Sequence, residues 1–223
     1  MMNRLMKSVV LGALVVGALS ASTARADVNV TVDPGVTWNG YMNVFELPSN
    51  GGAYVFGTGW GTADLCAVFT GNNLRLTPNN IGDPNPFWYT PSGGPGAAGN
   101  KIMEANMYVE PAGSLPGQLV TFSGDILSND LSSTHVAKAF IRDFAPDFSS
   151  NVSIFVDLPA SGSFSISLNT INDPARHVQY GFQMTGPCVW ITDAPQYGGV
   201  VVGPTQTTPA APATWGRIKA QYK

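Results

Sequence analysis

Three alternate residues, Lys138, Phe140 and Arg142, place an aromatic ring between two cations on one side of a predicted strand. Ala139 and Ile141, which lie between them, are apolar and would face a core. Proteins bind sugars by stacking flat aromatic faces on C–H groups and by directing planar polar groups at hydroxyls. The outward side of this strand is therefore predicted to contact a glycan.

Two glutamines give a second predicted strand the same outward character. Gln179 and Gln183 alternate with Tyr180 and Phe182, whose side chains would point inward, so two planar amides face outward. We expect these amides to hydrogen-bond the hydroxyl groups of the same kind of ligand.

Further aromatic residues lie in segments that are rich in turn residues. The segment 79–100 contains four prolines, several glycines and three adjacent aromatic residues. Long loops in compact domains are usually functional or disordered, and an aromatic loop is a poor candidate for disorder. Trp60, Trp88 and Tyr89 are therefore predicted to edge the binding groove, whereas Trp190 is predicted to pack in the core.

The sequence lacks a decisive catalytic signature. His135 and His177 stand alone, and a lone histidine is more often a structural hydrogen-bonding residue than a base or a metal ligand. No Gly-x-Ser-x-Gly, His-Glu-x-x-His or phosphate-binding glycine loop occurs. Asp143 and Asp147 could form the acid pair of a glycoside hydrolase, but acids beside Pro146 more often shape a turn. We expect a non-catalytic protein.

Residues 1–26 have the three parts of a secretory signal peptide. Arg4 and Lys7 precede a short apolar run, and a small-x-small cleavage site ends at Ala26. The apolar run is too short to span a bilayer, and no later run is long enough. The mature protein is therefore expected to begin at Asp27, without a transmembrane segment, and to be secreted or displayed at the cell surface.

The charge balance excludes one class of partner. Removing residues 1–26 takes away three basic residues and no acid, so the net charge falls from −3 to −6. An acidic chain without a basic cluster cannot neutralise phosphates, so nucleic acid is not an expected partner.

Cys66 and Cys188 are the two cysteines of the chain. An oxidising compartment favours a disulfide between them. Each cysteine also lies within an apolar strand-like run, where a free thiol packs as a small hydrophobic residue. Both interpretations stay open, and two cysteines without further ligands do not form a zinc site.

Residues 27–203 alternate apolar and polar residues in short stretches that are separated by turn residues. The stretches 103–109, 137–141 and 178–184 are three examples. Charged residues make up only 11% of the chain, beside 25 glycines and 17 prolines, and this composition favours sheets and turns over helices. Repeated period-two alternation predicts an all-β domain, an antiparallel β-sandwich of jelly-roll type.

Four short motifs occur in a characteristic order. The first joins Val44-Phe45-Glu46 to Gly59-Trp60, and the others lie at 114–124, 157–166 and 178–193. In this order they resemble the carbohydrate-binding modules of jelly-roll, galactose-binding-like type. The runs 82–89 and 173–182 are also similar to uncharacterised exported proteins of environmental bacteria, a resemblance that implies no activity.

The resemblance to these modules implies a structural calcium ion near the first and last strands. Glu46 and Asp193 occupy the matching positions. Calcium is bound by several oxygen ligands and only two are available here, so two solvated acids are the alternative. No other cofactor is expected.

The C-terminal residues differ from the domain. Residues 204–213 are mainly Pro, Thr and Ala and are predicted to form an extended linker. Residues 214–223, which include Trp215 and three cations, resemble C-terminal ends of bacterial surface proteins. They are predicted to act in sorting or docking, with a disordered tail as the alternative.

Together these features predict a non-catalytic carbohydrate-binding protein that recognises a glycan or polysaccharide through exposed aromatic residues. The alternative is a structural or adhesive subunit of an extracellular assembly. In that case the aromatic residues would pack against another copy or another surface protein, because large aromatic residues also concentrate in protein interfaces.

Overall fold

The computed structural model describes residues 27–205. The predicted signal peptide, the tail 214–223 and most of the predicted linker lie outside these residues. Within residues 27–205 there are sixteen strands and two short 3-10 turns, Pro48–Asn50 and Ala194–Tyr197, but no α-helix. No helix in this part of the chain has the length and apolar character needed to span a membrane.

The strands are β1 (Asp27–Thr31), β2 (Asn39–Glu46), β3 (Tyr54–Gly59), β4 (Ala67–Thr70), β5 (Asn73–Leu76), β6 (Asn80–Ile81), β7 (Tyr89–Thr90), β8 (Ala98–Gly99), β9 (Lys101–Val109), β10 (Leu119–Asn129), β11 (Val136–Phe144), β12 (Asn151–Asp157), β13 (Gly162–Asn169), β14 (His177–Pro187), β15 (Val189–Trp190) and β16 (Val200–Gly203).

Two six-stranded sheets form the two layers of the fold. The first sheet has the order β1-β10-β16-β5-β4, and β13 pairs with the opposite edge of β10. The second sheet has the order β12-β11-β14-β9-β2-β3, and all of its neighbouring strands are antiparallel. Two small two-stranded sheets, β15-β6 and β7-β8, complete the described part.

The long strand β10 brings the two ends of the described chain together. β1 runs parallel to its first half, and β16 runs antiparallel to its second half. The N–H of Thr205 donates to Oγ1 of Thr31 at 3.0 Å. Both ends of the described chain therefore lie in the first sheet.

The core lies between the two sheets and follows the alternation of the sequence. On β9 the inward residues from Met103 to Val109 are buried, as are the inward aromatic residues of β14. The ring of Phe122, on the first sheet, lies 5.1 Å from that of Tyr180 and 5.3 Å from that of Phe182 on the second. Burial of these apolar faces is the main force that holds the layers together. The prediction of an all-β fold is confirmed.

An ion pair between Arg176 and Asp143 joins the β13–β14 connection to the end of β11. Asp143, whose side chain is buried, accepts a hydrogen bond from Nε of Arg176 at 2.6 Å. It also accepts one from the backbone N–H of Ile171 at 2.7 Å. This carboxylate therefore has strong donors on both of its oxygens, which offsets the cost of burying it.

The two cysteines are free thiols in this structure. The Cys188 thiol donates to the Tyr89 hydroxyl at 3.2 Å, and Nδ2 of Asn80 donates to Sγ of Cys66 at 3.1 Å. Burial raises the pKa of Cys188 to about 11 and also raises the pKa of Cys66. Of the two interpretations left open by the sequence, the structure therefore has the thiols and not the disulfide.

Candidate functional site

Polar side chains from four neighbouring strands meet on the outer face of the second sheet, the face turned away from the first sheet. Cross-strand register sets Arg142 opposite Gln179 and Lys138 opposite Gln183. The same register continues from Gln183 to Asn106 on β9. The four polar residues of β11 and β14 that were predicted to bind a ligand thus lie together on one surface.

A pocket of about 490 Å³ opens on this outer face. Its volume falls within the range of small-molecule binding sites. Aromatic rings and planar polar groups line it, namely Tyr41, Asn43, Asn106, Tyr108, Glu110, Arg142, Phe144, Phe148 and Gln179.

Two carboxylates, Glu110 in the lining of the pocket and Glu104 next to that lining, are held by hydrogen-bond donors. Oε2 of Glu110 accepts from Nε2 of Gln179 at 2.6 Å, and its Oε1 lies 2.6 Å from Nδ1 of His177. Oε1 of Glu104 accepts from Nδ2 of Asn43 at 2.9 Å. These contacts fix the amides and carboxylates in place before any ligand arrives, which lowers the entropy cost of binding.

The side-chain amide of Asn106 is also held by hydrogen bonds, at the centre of the outer face. Its Nδ2 donates to the backbone oxygen of Glu104 at 3.1 Å, and its Oδ1 accepts from Nε2 of Gln183 at 3.0 Å. Gln183 and Asn106 are both buried, and the hydrogen bond between their amides offsets the cost of burying them. Of the two, Asn106 lines the pocket.

Arg142 is the cation of the pocket. Its guanidinium carbon lies 4.1 Å from the ring centre of Phe140 and 5.2 Å from that of Phe155. Within residues 27–205 its contacts are with these two rings, and its N–H groups form no hydrogen bond with another residue. Burial lowers the pKa of Arg142, and the nearby Glu104 and Tyr108 partly oppose this.

Phe140 points to the outer face, as the alternation predicts, but it is not the exposed ring that was expected. Its side chain is 0% exposed because Arg142 and Phe155 cover it. Cation–π contact of this kind holds a guanidinium in place. Phe140 therefore positions Arg142 and offers no free face to a ligand.

The accessible rings of the pocket come from residues that the sequence analysis did not select. Tyr41 on β2 is 38% exposed and Phe148, in the β11–β12 turn, is 54% exposed. The ring of Phe148 stacks on that of His177 with centres 4.2 Å apart. Burial, followed by the charge of Glu110, raises the pKa of Tyr108. The tyrosine therefore stays a neutral hydroxyl at physiological pH.

The aromatic residues predicted to edge the groove lie elsewhere. Tyr89 is 0% exposed, and its hydroxyl lies 2.5 Å from the carbonyl oxygen of Ile81. Trp60 and Trp88 are half-buried and pack against the core. Trp190 packs there too, edge-on to Tyr89 with ring centres 5.4 Å apart. The core position of Trp190 is the one predicted for it, whereas none of the three residues predicted to edge the groove lines the pocket.

The two acids predicted to bind calcium make contacts with different partners. Oε2 of Glu46 forms an ion pair with Nζ of Lys101 at 3.1 Å. Oδ2 of Asp193 accepts from the N–H of Gly96 at 2.6 Å. The described residues hold no group of three or more His, Cys, Asp or Glu side chains that could bind a metal. The calcium site stays a prediction from the resemblance.

The two aspartates considered as a catalytic pair have structural contacts. Asp143 is the buried partner of Arg176. Asp147 is exposed and accepts from the hydroxyl of Ser149 at 2.6 Å and from its N–H at 3.0 Å. These hydrogen bonds lower the pKa of Asp147 and close the β11–β12 turn.

Comparisons of the chain with protein-family models, with curated proteins and with solved structures find no match. The similarity to carbohydrate-binding modules therefore remains a prediction from four sequence motifs.

Proposed function

We propose that this protein is a secreted, non-catalytic glycan-binding protein whose binding site is the pocket on the outer face of the second sheet. The observation that carries the proposal is the composition of this pocket. Exposed rings of Tyr41 and Phe148 lie beside amides and carboxylates that are already fixed by hydrogen bonds. Rings that stack on sugar C–H groups, combined with planar groups that bind hydroxyls, are what saccharide recognition requires.

We also propose that the fold is of jelly-roll type. The chain passes repeatedly between the layers: β9 lies in the second sheet, β10 in the first, β11 in the second and β13 in the first. Exchange between two mainly antiparallel sheets is typical of jelly rolls and limits the number of free strand edges. The family resemblance points to the same fold.

The test is binding of the protein to a glycan array and to insoluble polysaccharides. We expect Tyr41→Ala and Phe148→Ala to weaken retention because each removes an accessible ring from the pocket. Phe87→Ala is the matched control, since Phe87 is also exposed but lies in the loop that precedes β7 and does not line the pocket. Retention that is lost in Phe87→Ala and kept in both pocket variants would contradict this location of the site.

The edge strands of the second sheet support a second candidate, a self-assembling structural or adhesive subunit. Tyr54 and Val55 on β3 and Val152 and Phe155 on β12 are exposed. In the part of the chain that the structure describes, each of these strands has one partner in the sheet, and exposed apolar edges favour pairing between copies. Self-association in sedimentation that Val152→Lys abolishes, without glycan binding, would favour this function over glycan recognition.

A further inference from the structure

We propose that the saccharide bound in the outer-face pocket carries a carboxylate, as uronic acids do, and that Arg142 binds this group. The inference rests on the proposed glycan-binding function and specifies its ligand class. The acidic groups at the pocket already accept hydrogen bonds from the protein, whereas the donors of the basic group, Arg142, have no acceptor within the described chain.

The acidic groups are already engaged. Glu110 is bound by Gln179 and His177, and Glu104 is bound by Asn43 and by Nδ2 of Asn106 at 3.5 Å. Each carboxylate therefore has donors from the protein itself, and none of them needs a ligand to be stabilised.

The cation is not engaged in this way. Arg142 has the faces of Phe140 and Phe155 next to it, and these rings accept no conventional hydrogen bond. Its neighbour on the outer face, Lys138, already has an ion pair with Asp157 at 3.2 Å. Arg142 is thus the group of the pocket whose donors remain available within the described chain.

A carboxylate suits these donors better than a hydroxyl does. The planar guanidinium can give two parallel hydrogen bonds to the two oxygens of a carboxylate, and charge-assisted bonds of this kind are about twice as strong as neutral ones. Arg142 is partly buried, so its interaction with an opposite charge is less screened than at an open surface. A neutral sugar can accept from these donors but gives the guanidinium no charge-assisted hydrogen bond, and the nearby carboxylate of Glu104 makes its own hydrogen bonds with Asn43 and Asn106 instead.

The net negative charge of the chain opposes non-specific binding of an acidic polysaccharide. Without residues 1–26 the net charge is −6. A protein with this balance repels a polyanion in general, so binding of an acidic polysaccharide would have to come from a specific cation-containing site.

The experiment compares polygalacturonate with its fully methyl-esterified form by affinity electrophoresis and calorimetry on the exported protein. The two polymers share a backbone and differ in the charge of the carboxyl group. We expect the ester to bind about 10- to 100-fold more weakly, the effect of losing hydrogen bonds to a charged group. Arg142→Gln should weaken binding to the acid by a similar factor and binding to the ester by much less, because the ester has no charge for the guanidinium to pair with.

Two further variants separate charge from geometry. Arg75→Gln removes the same charge from an exposed position on β5, in the first sheet, and should bind like the parent protein. Arg142→Lys keeps the charge without the paired donors and should bind the acid at an intermediate level. Thermal unfolding of each variant shows whether the fold is retained. If Arg142→Gln does not fold, the comparison of Arg142→Lys with the parent protein tests the contribution of Arg142 to binding of the acid.

Equal binding of acid and ester that Arg142→Gln does not affect would overturn the carboxylate inference and leave glycan binding intact. Absence of binding to every saccharide, charged or neutral, would overturn both. Preference for a sulfated polymer over polygalacturonate would also overturn the inference, because the anion recognised would then be a sulfate ester.

Discussion

Asp143 and Arg142 are consecutive residues of β11 with opposite charges, and they do not neutralise each other because they point to opposite faces of the sheet. Asp143 faces inward and is paired with Arg176 at 2.6 Å. Arg142 faces the pocket and rests on Phe140. The alternation of a strand thus separates a structural carboxylate from a cation that is available to a ligand.

Replacing the buried acid should destabilise the fold strongly. Asp143→Asn leaves the Arg176 guanidinium without its counterion, and breaking a buried ion pair costs about 3–5 kcal/mol. The free energy of unfolding from urea titration measures the loss. Asp157→Asn is the control, because its ion pair with Lys138 is exposed and should contribute about 1 kcal/mol or less. Similar losses in the two variants would contradict the interpretation of Asp143.

A glycine on the edge strand β3 should control the shape of the pocket. A Cβ at Gly57 would lie 2.6 Å from Oδ1 of Asn43 and 2.9 Å from Cε1 of Tyr41, so both pocket residues would have to move. We expect Gly57→Ala to weaken glycan binding about five-fold, the effect of one net hydrogen bond, while the protein stays folded.

Gly59→Ala is the matched control for this prediction. Gly59 lies on the same strand and pairs with Tyr41, but a Cβ there would contact only a backbone oxygen at 3.9 Å. Binding curves of the two variants should therefore differ. If Gly57→Ala binds as tightly as Gly59→Ala, Asn43 and Tyr41 do not contribute to recognition.

The buried histidine should make stability depend on pH. Burial lowers the pKa of His135 below its ordinary value of 6.5, and the hydrogen bond to the Pro187 carbonyl partly opposes this. Below about pH 6.5 the unfolded chain then binds a proton that the folded chain resists, so stability falls as the pH falls. The melting temperature should decrease from pH 7.5 to 5.5, and His135→Gln should reduce this decrease. An identical decrease in both proteins would exclude His135 as its source.

The thiol of Cys188 should be unreactive in the native protein and reactive in the unfolded protein. Cys188 is buried with a pKa of about 11, so only about one molecule in a thousand carries a thiolate at pH 8. Iodoacetamide should leave Cys188 unlabelled in the native protein. In urea without a reductant it should add two labels, which mass spectrometry counts, and one label in Cys66→Ser. Absence of any label on the unreduced, unfolded protein would reveal a disulfide.

The alternation of residues was sufficient to predict sheets and the outward direction of Lys138, Arg142, Gln179 and Gln183. It could not predict that Phe140 is covered, because alternation gives the direction of a side chain and not what lies above it. Covering depends on which strands become neighbours, and that is a long-range property of the fold.

Strand neighbours also decide why the sequence analysis did not select the pocket residues of β9. Asn106 and Tyr108 alternate with the buried residues of β9, so their outward direction was available from the sequence, but their position beside β14 was not. Tyr89 was misplaced for a different reason. A proline- and glycine-rich loop usually lies at the surface, yet carbonyl oxygens of Ile81 and Val189 provide partners that allow the Tyr89 hydroxyl to be buried.

The two ends of the described part of the chain, at residues 27 and 205, lie beside β10 in the first sheet. β1 and β16 belong to the first sheet, and the pocket opens on the far side of the second. Residues 27 and 205 therefore lie on the side of the described molecule that carries the first sheet. A polymer bound in the pocket is separated from both points by the two layers of the sandwich, so neither point competes with it for the outer face of the second sheet.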